Sequence, residues 1–139
     1  MNWNEHKAIY LQIADRIIED ILNEKLKSGD RVASVRELAA QIQVNPNTVV
    51  RSYGMLEQAA ILHNQRGLGF YIAEGAIEKA RVLKRTEFLE QTLPEVFKTM
   101  QLLQIPVNEL MALHHQFQNN SQWNALFRIV SFYFTVAFL

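Results

Sequence analysis

The chain of 139 residues contains no cysteine and has no excess of charge of either sign. Without cysteine it can form no disulfide bond, no cysteine-ligated zinc site and no thiol nucleophile, which suits a reducing compartment. Residues 1–7 are polar and lack the apolar core of a signal peptide, so we expect a cytoplasmic protein. An apolar content of 49% with 20% charged residues indicates a globular chain that can bury a core.

The formal net charge is zero, with 14 basic and 14 acidic residues. Diffuse binding to a polyanion usually depends on a strong basic excess, which this chain lacks. Between residues 31 and 66, however, four arginines are opposed by only two glutamates, a local excess of two positive charges. The sequence therefore disfavours diffuse polyanion binding but permits a focused basic site.

No set of residues typical of an enzyme is recognisable. The sequence has no Ser/His/Asp combination, no glycine-rich phosphate loop and no carboxylate pair on a shared helix face. His114 and His115 follow Glu109 on a predicted helix, but adjacent histidines point to different sides of a helix, which disfavours a metal site. We therefore expect no catalytic, cofactor-binding or metal-binding residues, and a protein that is not an enzyme.

Two helices are predicted before residue 45. An apolar stripe at three- and four-residue spacing indicates a helix over residues 6–26, which the glycine turn at residues 27–30 ends. Ser34 and Glu37 have the spacing of a capping box, in which each side chain bonds to the other residue's main-chain amide. The capping box predicts the start of a second, short helix.

A third helix is predicted to begin at Asn45-Pro46, because asparagine is a preferred N-cap and proline is tolerated in the first turn. Its inward side is predicted to carry Val49, Tyr53 and Leu56. Gly54, which costs about 1 kcal/mol relative to alanine in a helix interior, has no evident role. The outward side of the first two turns is predicted to carry Asn47, Thr48, Arg51 and Ser52.

A hairpin is predicted to follow, with strands over residues 61–64 and 70–73 and a glycine-containing tip over residues 65–69. The pattern then becomes helical from residue 76 to 103, where Pro94 must kink or restart the helix and Thr92 could cap the new one. Pro106 is expected to begin another helix that ends near residue 118. The overall fold class predicted is mainly α with a small β-hairpin wing (α+β).

The segment Trp123–Leu139 is strongly apolar and carries a single charge, Arg128. Its 17 residues lie at the lower limit of the about 17–25 that span a bilayer. Its pattern can be written as a strand or as a helix. We favour a buried core or subunit interface for this segment, with membrane contact as the alternative.

The third helix and the hairpin have the chemistry of a DNA-binding surface. In a major groove, arginine can bond to guanine O6 and N7, asparagine to adenine, and threonine to thymine or a phosphate. Arg36 is placed to hold the phosphate backbone, and Arg66 at the hairpin tip could enter the minor groove. The candidate DNA-binding residues are Ser34, Arg36, Asn45, Asn47, Thr48, Arg51, Ser52, Gln65, Arg66 and Gly67.

Residues 8–75 resemble the winged-helix domain of the GntR family of bacterial transcription regulators. The resemblance is carried by Ile9-Tyr10-Leu11-Gln12-Ile13, Gly29-Asp30-Arg31, Ser34-Val35-Arg36-Glu37-Leu38-Ala39, Val44-Asn45-Pro46-Asn47-Thr48-Val49 with Arg51 and Tyr53, and Arg66-Gly67-Leu68-Gly69. The Asn-Pro-Asn-Thr-Val motif resembles the YtrA-like branch, whose C-terminal part is a short helical dimerisation region. The resemblance implies DNA contacts from Arg36, from Asn47, Thr48 and Arg51, and from Arg66-Gly67.

The sequence departs from the family pattern at three positions. Ala33 replaces a usual proline, and Ala60 replaces the glycine that usually ends the third helix, so the turn into the wing could differ. Leu68 replaces a frequent wing lysine, which removes one phosphate contact and should flatten the salt dependence of DNA binding slightly.

Taken together, the sequence predicts a winged helix-turn-helix DNA-binding domain over residues 1–75 and a helical dimerisation or effector region over residues 76–139. The expected function is a homodimeric, sequence-specific transcription regulator, a repressor of a (pseudo)palindromic double-stranded DNA operator, with an unknown small-molecule effector as a further partner. The alternative is a winged-helix interaction module held at a membrane by residues 123–139.

Overall fold

The computed structural model describes residues 3–119 of the chain. Helices and one two-stranded antiparallel hairpin make up the described part, which confirms the predicted fold class. The structure divides into two compact units, the first ending at Leu89 and the second beginning at Glu90. The elements in chain order are α1 (Ile9–Leu22), α2 (Val35–Ile42), α3 (Pro46–Gln58), β1 (Leu62–Gln65), β2 (Gly69–Ile72), α4 (Ala76–Glu87), a π-helical turn (Phe88–Thr92), α5 (Leu93–Leu103) and α6 (Val107–Asn119).

The core of the first unit lies between α1 and α3, with α2, α4 and the hairpin packed around them. Each large aliphatic side chain buried there contributes about 1.5–3 kcal/mol relative to leaving it exposed. The inward positions predicted on the third helix are confirmed, since Val49, Tyr53 and Leu56 are all buried. The other large buried members of this core are Ile13, Ile17, Ile18, Ile21, Val32, Ile61, Leu62 and Ile72.

Helix α4 belongs to the same core. Ala76 and Ala80, four residues apart on one side of α4, are fully buried, and α4 packs on α1. Their small side chains allow the two helices to approach closely. The compact unit therefore continues to Leu89, beyond residue 75, whereas the boundary of the DNA-binding domain at residue 75 stays a prediction.

Helix α1 is shorter than the predicted span of residues 6–26. The amide of Asn23 closes the last helical turn on Glu19, and Glu24 then adopts a positive φ of 57°. The amides of Lys25 and Leu26 both donate to the carbonyl oxygen of Asp20, at 2.8 and 3.1 Å. The helix thus ends at its own left-handed turn, before the glycine turn that was expected to stop it.

The hairpin is confirmed within one residue of the predicted strands, with Leu62 opposite Ile72 and Gln65 opposite Gly69. A further pairing was not predicted, because the segment before Ser34 is too short to display an alternating pattern. Arg31 forms an isolated bridge with Tyr71, and the amide of Val32 donates to the carbonyl of Phe70 at 3.0 Å. This pairing fixes the base of the hairpin to the chain that leads into α2.

The turn from α3 into the wing is a Schellman motif. The amide of Ile61 donates to the carbonyl of Leu56, and that of Ala60 to Glu57, at 2.9 and 2.8 Å. Ala60 holds the left-handed position, with a φ of 53°. The chain therefore forms the turn that glycine usually makes, with alanine in a conformation that costs a non-glycine residue about 1–2 kcal/mol.

Every residue from Ala76 to Leu103 is helical, but a π-helical turn at Phe88–Thr92 precedes Pro94. Pro94 is the second residue of α5 and has no amide hydrogen to donate to the preceding turn, which is the π-helical one. Thr92 has helical dihedral angles and makes no capping hydrogen bond from its side chain. The prediction of a cap at Thr92 is therefore wrong, because the helical path widens at this point instead of restarting.

In the second unit, α5 and α6 are joined by a short turn that contains Pro106. Helix α6 agrees with the helix predicted after Pro106, but none of its residues is buried. On α5, Met100 is buried, whereas the apolar residues Phe97 and Leu103, three positions before and after it, are exposed. Within residues 3–119 no helix is long and apolar enough to cross a membrane. The apolar segment 123–139, to which the membrane alternative was assigned, lies outside the described residues.

Candidate nucleic-acid interface

The two helix starts that frame the site are capped as predicted. The Ser34 hydroxyl accepts from the amide of Glu37 at 3.3 Å, and the Glu37 carboxylate accepts from the amide of Ser34 at 2.7 Å. The hydrogen bond from the Ser34 amide, with a smaller contribution from the Ser34 side chain, holds the pKa of the exposed Glu37 carboxyl below its ordinary value. The Asn45 side chain accepts from the amide of Asn47 at 2.9 Å. Ser34 and Asn45 thus fix where α2 and α3 begin.

Helix α3 presents one side to solvent. Asn47 and Arg51 are exposed there, one turn apart, and Thr48 is partly exposed beside them. The opposite side of the helix is held by Tyr53, whose ring meets Phe70 edge-on at 4.8 Å between centroids. The Tyr53 hydroxyl donates to the carbonyl of Ala33 at 2.6 Å, and burial raises the pKa of this hydroxyl to about 12. Helix α3 is therefore anchored to both the wing and the chain before α2.

Ser52 does not belong to the outward side, and its predicted placement there is wrong. Ser52 is fully buried. Its hydroxyl donates to the carbonyl of Tyr10 at 2.7 Å, and the carbonyl of Thr48 lies 3.0 Å from the same hydroxyl. A hydroxyl that bonds to a carbonyl one turn back satisfies its own polarity and can be buried at low cost. Ser52 therefore joins α3 to α1, and its side chain lies in the interior.

The Arg51 guanidinium lies over the ring of Tyr10, with its central carbon 3.8 Å from the ring centroid. Such a cation–π contact contributes about 0.5–1 kcal/mol at an exposed site. Because Tyr10 also accepts the Ser52 hydrogen bond through its carbonyl, the first turn of α1 orients the outward side of α3. This role of Tyr10 could not be predicted, since Tyr10 and Arg51 are 41 positions apart in the sequence.

The remaining predicted residues lie on the wing and at the start of α2. Gln65, Arg66 and Gly67 are all exposed at its end, and Gly67 has the positive φ of 81° that the tight turn requires. The Gln65 amide nitrogen lies 3.0 Å from the ring Nε2 of His63, whose imidazole stacks on Tyr71. Arg36, in the first turn of α2, is also exposed.

Two further residues extend the candidate surface beyond the sequence prediction. Arg31 is exposed and runs along Gly69, where an added Cβ would lie 3.4 Å from its Nε. Val50 is 53% exposed on the outward side of α3, although Val49 next to it is fully buried. Given that Val49, Tyr53 and Leu56 face inward, the helical periodicity alone places Ser52 on the inward side and Val50 on the outward side.

The described residues bring no group of histidine, aspartate and glutamate side chains together in an arrangement that could hold a metal ion. What they do bring together is a set of capped helices and a basic hairpin. Two helices joined by a tight turn and followed by a hairpin that packs on the second helix define the winged helix-turn-helix class of domain.

Comparison with known proteins identifies the family within that class. The family model described as "Bacterial regulatory proteins, gntR family" matches residues 9–72. The structure is similar to a crystal structure of a GntR-family transcriptional regulator from Bacteroides thetaiotaomicron, with a TM-score of 0.67 and 39% identity, covering 79% of this chain and 96% of that one. A GntR-family transcriptional regulator from Listeria monocytogenes matches with a TM-score of 0.67 and 30% identity, covering 82% and 98%. The chain belongs to the GntR family.

Curated relatives agree with this assignment. The uncharacterised HTH-type transcriptional regulator YhcF of Bacillus subtilis is 49% identical over 70 residues, which are 50% of this chain and 58% of that protein. The HTH-type transcriptional repressor YtrA of the same organism is 47% identical over 68 residues, or 49% and 52% of the two chains. The chain thus matches little more than half the length of these relatives. The resemblance to the YtrA-like branch is confirmed, as is the prediction of a non-enzymatic protein, because the family consists of regulatory proteins.

Proposed function

We propose that the protein is a sequence-specific DNA-binding transcription regulator that acts as a homodimeric repressor on a (pseudo)palindromic operator. One observation carries the proposal: Asn47 and Arg51 on the outward side of α3 and Arg66 at the wing tip are all exposed, in a domain whose hairpin packs on α3. This surface has the donors for base edges on a helix narrow enough for the major groove. Repression is further supported by the similarity to YtrA, which is named a repressor.

In this proposal α3 enters the major groove by its N-terminal half. Arg51 donates to guanine O6 and N7, and Asn47 bonds to adenine. The main-chain amides at the start of α3 favour a phosphate, because a helix N-terminus carries partial positive charge. The Tyr10 ring restricts the conformations of the Arg51 side chain before DNA arrives, so less entropy is lost on binding.

Arg36 and Arg66 hold the duplex on either side of α3. Arg36 lies in the first turn of α2 and is assigned a phosphate contact, which positions the protein but carries no sequence information. Arg66 at the wing tip is assigned to the adjacent minor groove, where arginine responds to the narrow width of A·T-rich sequence. Ser34, Asn45, Gln65 and Gly67 support these contacts through helix capping and wing geometry.

Two copies of the chain are proposed to form the dimer through their second units. On α5 the exposed apolar side chains include Phe97 and Leu103, and on α6 they include Val107 and Met111. Apolar side chains clustered on exposed helices typically mark a protein interface. The net charge of the chain is zero, so a single small basic patch makes few phosphate contacts. Two copies double the number of basic sites and thereby tighten binding to DNA.

A gel-shift titration over a salt series tests this function. The probes are a duplex from the region upstream of the protein's own gene and a scrambled duplex of equal length and composition. We expect tighter binding to the upstream duplex at every salt concentration, with affinity for both falling as salt rises. Equal affinity for the two duplexes would contradict a sequence-specific regulator of that region.

A further inference from the structure

Val50 is an apolar residue in the middle of the polar outward side of α3. It lies three residues after Asn47 and precedes Arg51, and 53% of it is exposed. Valine is a poorer helix former than alanine, leucine or lysine, and at this position it does not contribute to the buried core. A single exposed valine is ordinary on a protein surface, but this one is surrounded by the residues assigned to base edges.

The space in front of Val50 is open. Gly54, one helical turn further on the same side, has no side chain, and a Cβ added there would meet no atom within 4 Å. Val50 is thus exposed to solvent, and no side chain at Gly54 covers it from the next turn. In the major groove the apolar group that a base pair presents is the C5-methyl of thymine.

We infer that Val50 contacts the C5-methyl of a thymine and thereby sets specificity at that base pair. The inference rests on the proposed function and deepens it, because it names the chemical group that one residue of the surface recognises. Asn47 and Arg51 can form hydrogen bonds with adenine and guanine, and neither can recognise a methyl group. Val50 supplies the apolar contact that distinguishes thymine from cytosine and from uracil.

The test begins with the full chain and a library of random-sequence DNA duplexes, from which bound sequences are enriched. In the enriched site each thymine is then replaced in turn by deoxyuridine, which removes the methyl group and keeps every hydrogen bond. The wild type should bind about fourfold more weakly when the thymine facing Val50 is replaced, the change expected when one methyl group loses its apolar contact.

For the Val50→Ala variant, replacing that thymine by deoxyuridine should not weaken binding further. Replacement of the other thymines should affect this variant as it affects the wild type. Alanine is the stronger helix former, so this variant is expected to fold, and its thermal unfolding checks that it does. Val82→Ala is the matched control, since Val82 is an exposed valine of α4. This control should retain the wild-type pattern at every thymine.

Each outcome has a distinct meaning. Loss of the deoxyuridine effect in Val50→Ala alone supports the inference. An enriched site at which no thymine methyl matters, or at which Val50→Ala keeps the full pattern, overturns the inference and leaves sequence-specific binding intact. Failure to enrich any sequence contradicts the proposed function and the inference with it.

Discussion

Ser52 and Val50 lie two residues apart on α3 and have the opposite exposure from what their chemistry suggests. Polarity placed Ser52 outside, but its hydroxyl is satisfied by the carbonyls of Tyr10 and Thr48 inside the fold. Val50 is outside because helical spacing turns it away from Val49 and Leu56. At the residue scale, periodicity was the better guide to position, whereas the partners of Ser52 could be known only from the structure.

Gly54 weakens α3 without a compensating contact in the described residues. Its outward position is open, with nothing within 4 Å of an added Cβ. Replacing it by alanine should raise the free energy of unfolding by about 1 kcal/mol, the difference in helix propensity between the two residues. Urea unfolding followed by circular dichroism measures this change, and an unchanged or lower midpoint would contradict the assignment of an open helix interior.

Ala60 gives the opposite prediction at the end of the same helix. With a φ of 53°, it occupies a left-handed conformation that costs a residue with a Cβ about 1–2 kcal/mol. Ala60→Gly removes this strain but gains freedom in the unfolded state, so we expect a net stabilisation of about 0.5 kcal/mol. Ala59→Gly is the matched control. Since Ala59 has a negative φ, the same substitution there should destabilise the protein.

At the scale of elements, α1 and α4 are joined by a charged cluster of Lys7, Asp15, Lys84 and Glu87. Lys7 and Lys84 lie 2.5 and 2.6 Å from the Asp15 carboxylate oxygens, and Lys84 lies 2.6 Å from Glu87. Burial by itself would raise the pKa of Asp15, but hydrogen bonds from Lys7 and Lys84 lower it below its ordinary value. The hydrogen bond from Lys84 likewise lowers the pKa of Glu87.

These lowered pKa values predict acid sensitivity. A carboxyl whose folded pKa is depressed stabilises the fold above its unfolded pKa, which is about 4, and loses that contribution as the pH falls through the folded value. Asp15→Asn should therefore lower the free energy of unfolding by about 1 kcal/mol at pH 7, and by much less at pH 3. Urea unfolding at both pH values measures the difference, and an equal loss at pH 7 and pH 3 would show that the cluster is not the cause.

The elements themselves were largely predictable from local signals. The capping box at Ser34, the Asn45-Pro46 start and the glycines of the wing each specify their own turn, and all three are present. What could not be predicted depends on partners distant in sequence. The bridge from Arg31 to Tyr71 and the Arg51–Tyr10 contact belong to this group, as does the burial of Ala76 and Ala80 on α1.

In the whole molecule, two copies of the chain are proposed to associate through the second unit. Leu103 lies three residues after the buried Met100 on α5 and is 61% exposed, so a partner copy is proposed to cover it. Leu103→Glu should convert the dimer to a monomer and weaken binding to a palindromic duplex. Molar mass from light scattering during size-exclusion chromatography measures the oligomeric state.

The neighbouring residue offers a matched control. Leu102 is 82% exposed and lies on the side of α5 that also carries Glu95 and Lys98. Leu102→Glu introduces the same charge one residue away and should leave the dimer intact. A monomeric wild type, or a dimer that survives Leu103→Glu, would contradict the proposed interface.

The outward side of α3 is proposed to determine DNA sequence preference, and a substitution of Arg51 probes this role. The measurement is the ratio of dissociation constants for a scrambled and an enriched duplex at one salt concentration, for wild type, Arg51→Ala and Arg16→Ala. Arg16 is the control because its guanidinium pairs with Glu19 and Asp20 on α1. We predict that Arg51→Ala loses about 1–3 kcal/mol of this preference and that Arg16→Ala keeps the wild-type ratio. An Arg51→Ala protein with the wild-type ratio would contradict the account.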